Sequence, residues 1–281
     1  MQIAKVAGLM TAMTLILVAI GQYMGGSQGA VLFFVLAMAL NFGTYWFSDR
    51  AVLRMYRAQV IGPDDAPELY RMVDRLRQNA GLPMPTVAVA PQQQPNAFAT
   101  GRNPDNAVVC VTVGLMNVLD TRELEGVIAH ELAHIKHRHM LVGTLAAGMA
   151  GAIGLIASVA RWGFILGTGR DDDRGNPFVL LLMAIVAPIA ATIVQFAISR
   201  QNEFQADATA ARIVGDRQGL QSALRRIEAA ARRVPMQVNP AGAHMAIINP
   251  FASGVGVPFA RLFSTHPPTE ERIAALDRVQ L

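Results

Sequence analysis

The sequence predicts a mostly α-helical chain with one small β-sheet, divided between a water-facing domain and about four membrane-crossing helices. Three observations carry this. Apolar residues make up 52% of the 281 and charged residues only 16%, against about 25% charged in an ordinary water-soluble domain, and the apolar excess gathers into four long runs. Between the runs, apolar residues recur at three- and four-residue spacing, the period of a helix with one buried face. From Thr86 to Leu115, short Val-, Ala- and Thr-rich segments alternate with Pro, Gly and Asn, the pattern of strands and turns.

The first apolar run spans about Val6 to Met24, with no charge after Lys5, and the second about Ala30 to Phe47, with Asn41 and Thr44 its only polar side chains. Each approaches the ~20 residues that cross a bilayer as a helix. Gly21 to Gly29 reads as the turn between them, and Tyr45 and Trp46 stand where interfacial aromatics belong. A cleaved signal peptide is the competing reading of the first run, but its apolar region would be shorter and no second span would follow at once. Residues 1–47 are therefore read as a transmembrane hairpin.

At Ser48-Asp49-Arg50 the character changes, and residues 48–81 read as amphipathic helices. Leu69, Met72, Val73 and Leu76 form one apolar face, ended by Gly81-Leu82-Pro83. Thr86 to Ala90, Asn96 to Gly101 and Ala107 to Leu115 read as three strands, with a Gln-rich loop at Pro91 to Pro95. The lone Cys110 falls in an alternating run as a buried strand residue and excludes an intrachain disulfide.

Asp120 followed by Glu123 is an acidic box suited to starting a helix. The helix it starts, from Arg122 to Met140, contains no Pro and only one Gly. It carries His130-Glu131-Leu132-Ala133-His134, of the form H-E-x-x-H. Histidines at i and i+4 share one helix face, about 6 Å apart along the axis, so both can reach one ion. Neutral imidazole suits Zn²⁺, and one Zn²⁺ per chain is expected.

Leu141 to Ala160 is a third apolar run, with Gly143, Ala147, Gly151 and Gly154 spaced for close helix contact in lipid. A polar loop holding Asp171-Asp172-Asp173, read as a solvated turn, leads to a fourth run, Phe178 to Ile198, kinked at Pro188. Residues 141–198 thus form a second hairpin, inserted between the first part of the water-facing domain (48–140) and its second part (199–281). Lys and Arg follow the same division. Ten lie in 48–140 and ten in 199–281; with Lys5 that is 21 of 24, and only Arg161, Arg170 and Arg174 lie in the opposite loops. By the positive-inside bias both parts face the cytoplasm. The net charge of +4 needs no nucleic acid, because the basic residues are dispersed, aromatics are 6%, and no recognition motif is present.

A catalytic zinc ion takes three protein ligands and leaves one position open. His137 and His139 are local candidates for the third. Glu203 is the stronger one: with Asp207 it makes an i, i+4 acidic pair on a helix that begins where the second hairpin returns the chain to the first helix. Asp207 is then placed to accept the remaining N–H of a ligating imidazole. Thr209 to Arg233 reads as helical with a break at Gly215-Asp216, and Val234 to Val257, including the unassigned His244, as a loop or lid. Arg272, in the final helix, is expected to pair with an acidic residue.

Four blocks together resemble the HtpX-type membrane zinc metalloproteases, relatives of the CAAX prenyl proteases: Pro95 to Gly101, His130 to His139, Glu203-Phe204-Gln205-Ala206-Asp207, and Phe263-Ser264-Thr265-His266-Pro267-Pro268. The resemblance implies a gluzincin-like zinc protease domain with His130, His134 and Glu203 as ligands, Glu131 as catalytic base and Asp207 behind the ligands. It also implies Asn96, Ala97, Phe98, Ala99, Thr100 and Gly101 as the substrate-pairing strand, and places His266 near zinc as a donor to the transition-state oxyanion. It further implies a multi-pass protein of the bacterial inner membrane that hydrolyses misfolded or damaged membrane proteins under stress. The alternatives are cleavage inside the membrane, which the charges around the motif oppose, and a non-catalytic zinc sensor or scaffold, which would have no use for Glu131.

Overall fold

The computed structural model describes residues 2–143, 145, 199–231 and 267–281. The rest of the third apolar run, the whole fourth run with Pro188, the acidic loop, the segment holding His244, and His266 lie outside the described residues.

Helix α1 (Gln2–Met55) is two limbs joined at Gly25 and Gly26, where Gly26 takes φ 59. The nine-residue turn expected from Gly21 to Gly29 is thus only two residues long. Gly21 and Gly29 are instead helical contact residues: a Cβ on Gly21 would stand 2.4 Å from the Gly29 carbonyl oxygen. Lower in the hairpin, Asn41 Nδ2 donates to Thr14 Oγ1 at 3.0 Å. Two segments within α1, Ala4–Tyr23 and Gly25–Phe47, are long and apolar enough to cross a membrane. The second limb runs past Phe47 to Met55, so the change in composition at Ser48 marks a change of surroundings within one rod. Leu141, Val142 and Leu145, the described start of the third run, are buried with Val6, Met13, Leu17 and Ala37 of the hairpin.

The sheet has four strands in the order β1-β2-β4-β3: β1 (Gln59–Ile61), β2 (Thr86–Ala90), β3 (Ala97–Gly101) and β4 (Ala107–Thr112). Strands β2 and β4 run parallel, while β1 and β3 join them antiparallel at the two edges. The three strands read from sequence are present, with two corrections. Residues 48–81 are not all helical, because β1 pairs Gln59 to Ile61 with Val87 to Val89; three residues are too few to show a period. The third strand stops at Thr112 rather than Leu115. The Thr112 side chain accepts the Leu115 N–H at 3.1 Å and starts α3 (Val113–Val118), so a cap overrides the β-propensity of Val113.

Helix α2 (Pro67–Ala80) opens on Pro67, buries Leu69, Met72, Val73 and Leu76, and ends on left-handed Gly81 (φ 68). Helix α4 (Thr121–Lys136) lies at the centre of the domain, against α2, the sheet, α5 (Arg200–Val214) and α6 (Gln218–Ala231). Asp120 and Glu123 form the expected capping box, at 2.9 and 3.0 Å. Fully buried Ala129 and Ala133 on α4 and Ala206, Ala210 and Ala211 on α5 belong to one core. Their small size lets the two helices approach closely. Gly126 does the same towards α6, where a Cβ would meet the Leu220 backbone at 2.7 Å. The expected break at Gly215-Asp216 separates α5 from α6, and α7 (Thr269–Asp277) closes over both. Helix α4 does not run on to Met140: His137 caps it, Arg138 turns through φ 58, and helical backbone resumes at His139.

Candidate metal centre

The capping box fixes the start of α4, and the helical period then brings His130 and His134 onto the side that faces α5. Across the gap stands Glu203, one turn into α5. Ligand atoms of these three residues all lie within 4.8 Å of one another. The His130 and His134 Nε2 atoms are 3.0 Å apart, and the Glu203 carboxylate oxygens lie 3.6 Å from the first and 3.5 Å from the second. Two imidazoles and a carboxylate are a donor set that suits catalytic zinc. The site is closed from water on the protein side, with His130 2% and Glu203 4% exposed.

Behind His130 the arrangement continues. Its Nδ1 lies 2.9 Å from Asp207 Oδ1, one turn beyond Glu203 on the same face of α5. Nδ1 donates there, so in the neutral ring the Nε2 lone pair points into the triad. Asp207 is in turn gripped by Arg272 of α7, whose Nε and Nη2 donate to Oδ2 and Oδ1 at 2.8 and 2.6 Å. The expected acidic partner of Arg272 is therefore Asp207, 65 positions away, and both residues are 1% exposed. A two-point grip on a carboxylate sets its orientation as well as its charge.

The electrostatics follow from this packing. Burial opposes the charged form of Asp207, but the Arg272 guanidinium outweighs it and brings the carboxyl down to about 2. Burial likewise opposes a charged His130, yet the hydrogen bonds to Asp207 and Glu203 raise it to about 9. Without an ion, the carboxylates draw a proton onto that ring. The same field would favour a divalent cation, which must compete with the proton. Glu131 is 5% exposed and close enough to help hold the Arg272 charge. The charges at the centre thus form one coupled set, with Arg272 the cation opposite Asp207, Glu203 and Glu131.

The two local candidates for a third ligand are not in the triad. His137 is the C-cap of α4, and the turn at Arg138 takes His139 off that helix. His137 Nε2 lies 2.9 Å from Thr209 Oγ1, and His139 is buried with its Nδ1 3.2 Å from His134 Nδ1. Burial brings the His139 pKa down to about 4, so the ring is neutral. As a local candidate for the third ligand His139 shares the face of neither histidine of the motif in an unbroken helix; the left-handed Arg138 brings it against His134 instead of into the triad.

Strand β3 stands at the sheet edge, bonded to β4 and to no other described strand. Its five residues are buried between α4 and α1, with the Phe98 ring 4.5 Å from that of Tyr56. At its entry Thr112 Oγ1 accepts the Asn96 N–H at 2.9 Å and donates to the Gln94 carbonyl at 2.7 Å. Cys110 is a buried β4 residue, its thiol pushed up to about 12 by burial and so inert as a nucleophile or ligand.

Comparison with known proteins agrees with this geometry. Residues 63–280 match the model of peptidase family M48. The chain is 56% identical to a protein named "Protease HtpX homolog" from Gemmatimonas aurantiaca, over 97% of each chain. It is 49% identical to another of that name from Pelotomaculum thermopropionicum, over 99% of each. Among solved structures, the crystal structure of S. mikatae Ste24p superposes with a TM-score of 0.51 at 18% identity. That match covers 96% of this chain and 63% of Ste24p and shows a shared fold. The chain therefore belongs to peptidase family M48 and is a membrane metalloprotease, a metal-dependent hydrolase acting on polypeptides.

Proposed function

We propose that the chain is a zinc endopeptidase that cleaves misfolded or damaged membrane proteins where they meet the cytoplasmic face of the bacterial inner membrane. The observation that supports it most is the convergence of His130, His134 and Glu203 beside a buried Glu131. His130 and His134 are the nitrogen ligands, Glu203 the oxygen ligand, and Asp207 the holder of the His130 tautomer. One zinc ion held there supplies a Lewis acid that polarises the scissile carbonyl and acidifies water. Glu131 takes the proton of the attacking water and passes it to the leaving amide nitrogen. An extended substrate pairs with the outer edge of Asn96 to Gly101 through main-chain hydrogen bonds. His266 donates to the oxyanion. Residues 141–198 form a second transmembrane hairpin, which makes four spans and puts 48–140 and 199–281 on the cytoplasmic side.

Metal content and cleavage of an unfolded protein such as casein, measured on the detergent-purified chain, test the assignment. Glu131→Gln should keep the metal and lose nearly all cleavage. Glu203→Ala should lose both. A Glu203→Ala variant that holds zinc as tightly as the wild type would remove Glu203 from the ligand set, and substantial cleavage by Glu131→Gln would remove the base.

A further inference from the structure

We propose that His139 is the positioning residue for His134: it holds the outward nitrogen of that ring and so sets the tautomer and the angle that His134 offers the metal. The proposal rests on the zinc reading above and goes beyond it. A ligating imidazole has one nitrogen on the metal and one turned away, and the second one needs a partner that fixes the ring. For His130 that partner is Asp207. For His134, Nε2 faces the triad, 3.0 Å from His130 Nε2, while Nδ1 turns away and lies 3.2 Å from His139 Nδ1. Two nitrogens at that distance share one proton. With the Nε2 lone pair of His134 committed to a metal, its proton must sit on Nδ1, so His139 Nδ1 accepts it and carries its own proton on Nε2.

His139 is held well enough to do this. It is 7% exposed and stacked on His137 with ring centroids 5.4 Å apart. His137 is fixed in turn by the contact with Thr209 and by Gln205 Nε2 at 3.3 Å. Helix α5 therefore supports both ligating histidines: directly through Asp207 for His130, and through Gln205, Thr209 and the histidine stack for His134. The turn at Arg138 makes the second route possible. In a continuous helix His139 would stand roughly 140° around the axis from His134; the left-handed φ of 58 at Arg138 folds it back onto the ring. The two supports differ in charge. An anion behind His130 strengthens it as a donor, whereas a neutral imidazole behind His134 orients the ring with little change in its basicity.

The test is zinc affinity by chelator competition, with the visible absorption spectrum of the cobalt-substituted protein, on the full chain in detergent. His139→Leu removes the acceptor, and His139→Asn restores an acceptor oxygen near the place of Nδ1. The expected result is a loss of about tenfold in zinc affinity for His139→Leu, with an altered cobalt spectrum and a smaller loss than for Asp207→Asn. His139→Asn should return to within about threefold of the wild type. Where His139→Leu does not fold, His139→Phe takes its place as the variant without an acceptor. The proposal is overturned if the variant without an acceptor keeps both the affinity and the spectrum of the wild type, or if His139→Asn is as weak as that variant, which would make the loss one of packing. A wild-type chain that takes up no metal would instead overturn the zinc reading on which the proposal rests.

Discussion

The metal layer and the N-terminal hairpin are built by opposite rules. Around α4, large apolar side chains such as Ile128 and Leu132 are wholly buried, and the buried polar groups, from His130 to Arg272, are tied into one bonded set. In the hairpin many large apolar side chains face outwards, with Leu15 and Val31 each 64% exposed. Its interior joins the close glycine contact of Gly21 with Gly29 and the Asn41–Thr14 hydrogen bond to a small apolar cluster of Val6, Met13, Leu17 and Ala37. Each region has hidden what its own solvent rejects: water excludes the leucines of α4, and lipid accepts those of α1 but not its amides. The glycines are the shared device. Gly21 against Gly29 in the hairpin, and Gly126 against Leu220 in the soluble part, both let backbones meet.

The comparison can be broken most directly at Arg272. Arg272→Met strips the counter-charge from buried Asp207 and should cost about 3–5 kcal/mol, seen as a large fall in the unfolding midpoint of the ion-free protein. A drop as small as that of a surface substitution would mean that the buried set is not coupled. Next comes a matched pair. Leu132→Ala in α4 should cost about 2–5 kcal/mol, while Leu15→Ala in the hairpin should lie within about 0.5 kcal/mol of zero in detergent. Equal effects would erase the distinction between the two regions.

Metal uptake gives a smaller, pH-dependent effect of definite sign. His130 binds a proton up to about 9 in the ion-free site, and a ligating nitrogen must be unprotonated. Raising the pH towards that value therefore strengthens zinc binding, by about tenfold per unit for this one proton, with no further gain from this group above it. Calorimetry in two buffers of different ionisation enthalpy should detect close to one proton released from His130 per ion at neutral pH. The smallest expected effect is in the hairpin: Asn41→Leu should cost only about 0.6 kcal/mol, the usual worth of a side-chain hydrogen bond between membrane helices, measurable by unfolding in mixed micelles.

Much of the site could be read along the chain because its signals are local. Asp120 with Glu123, His130 with His134, and Glu203 with Asp207 are each pairs three or four apart, and a helix converts that spacing into a shared face. The strands at Thr86 to Ala90 and Asn96 to Gly101 announced themselves through alternation and bounding prolines. Strand β1 did not, because three residues carry no period. Neither did the end of β4, where one threonine hydroxyl outweighs the β-propensity of the valine after it. The misreading closest to the site was of the end of α4. Nothing in Lys136-His137-Arg138-His139 forbids a helix, and Arg138 in the left-handed region costs energy that only its surroundings can offset.

Read alone, the sequence determined the pieces: an apolar hairpin, a capped helix with two histidines and a glutamate in phase, and a second helix with two acids in phase. Spacing and capping act through a residue's own backbone and its nearest turn, so they survive in a one-dimensional record. Only the tertiary structure decided that Asp207 belongs to Arg272, that Glu203 closes the triad across α4, and that His139 comes back to His134. Those pairings depend on how helices dock and where a chain turns, which the packing of the whole domain sets and no local spacing encodes.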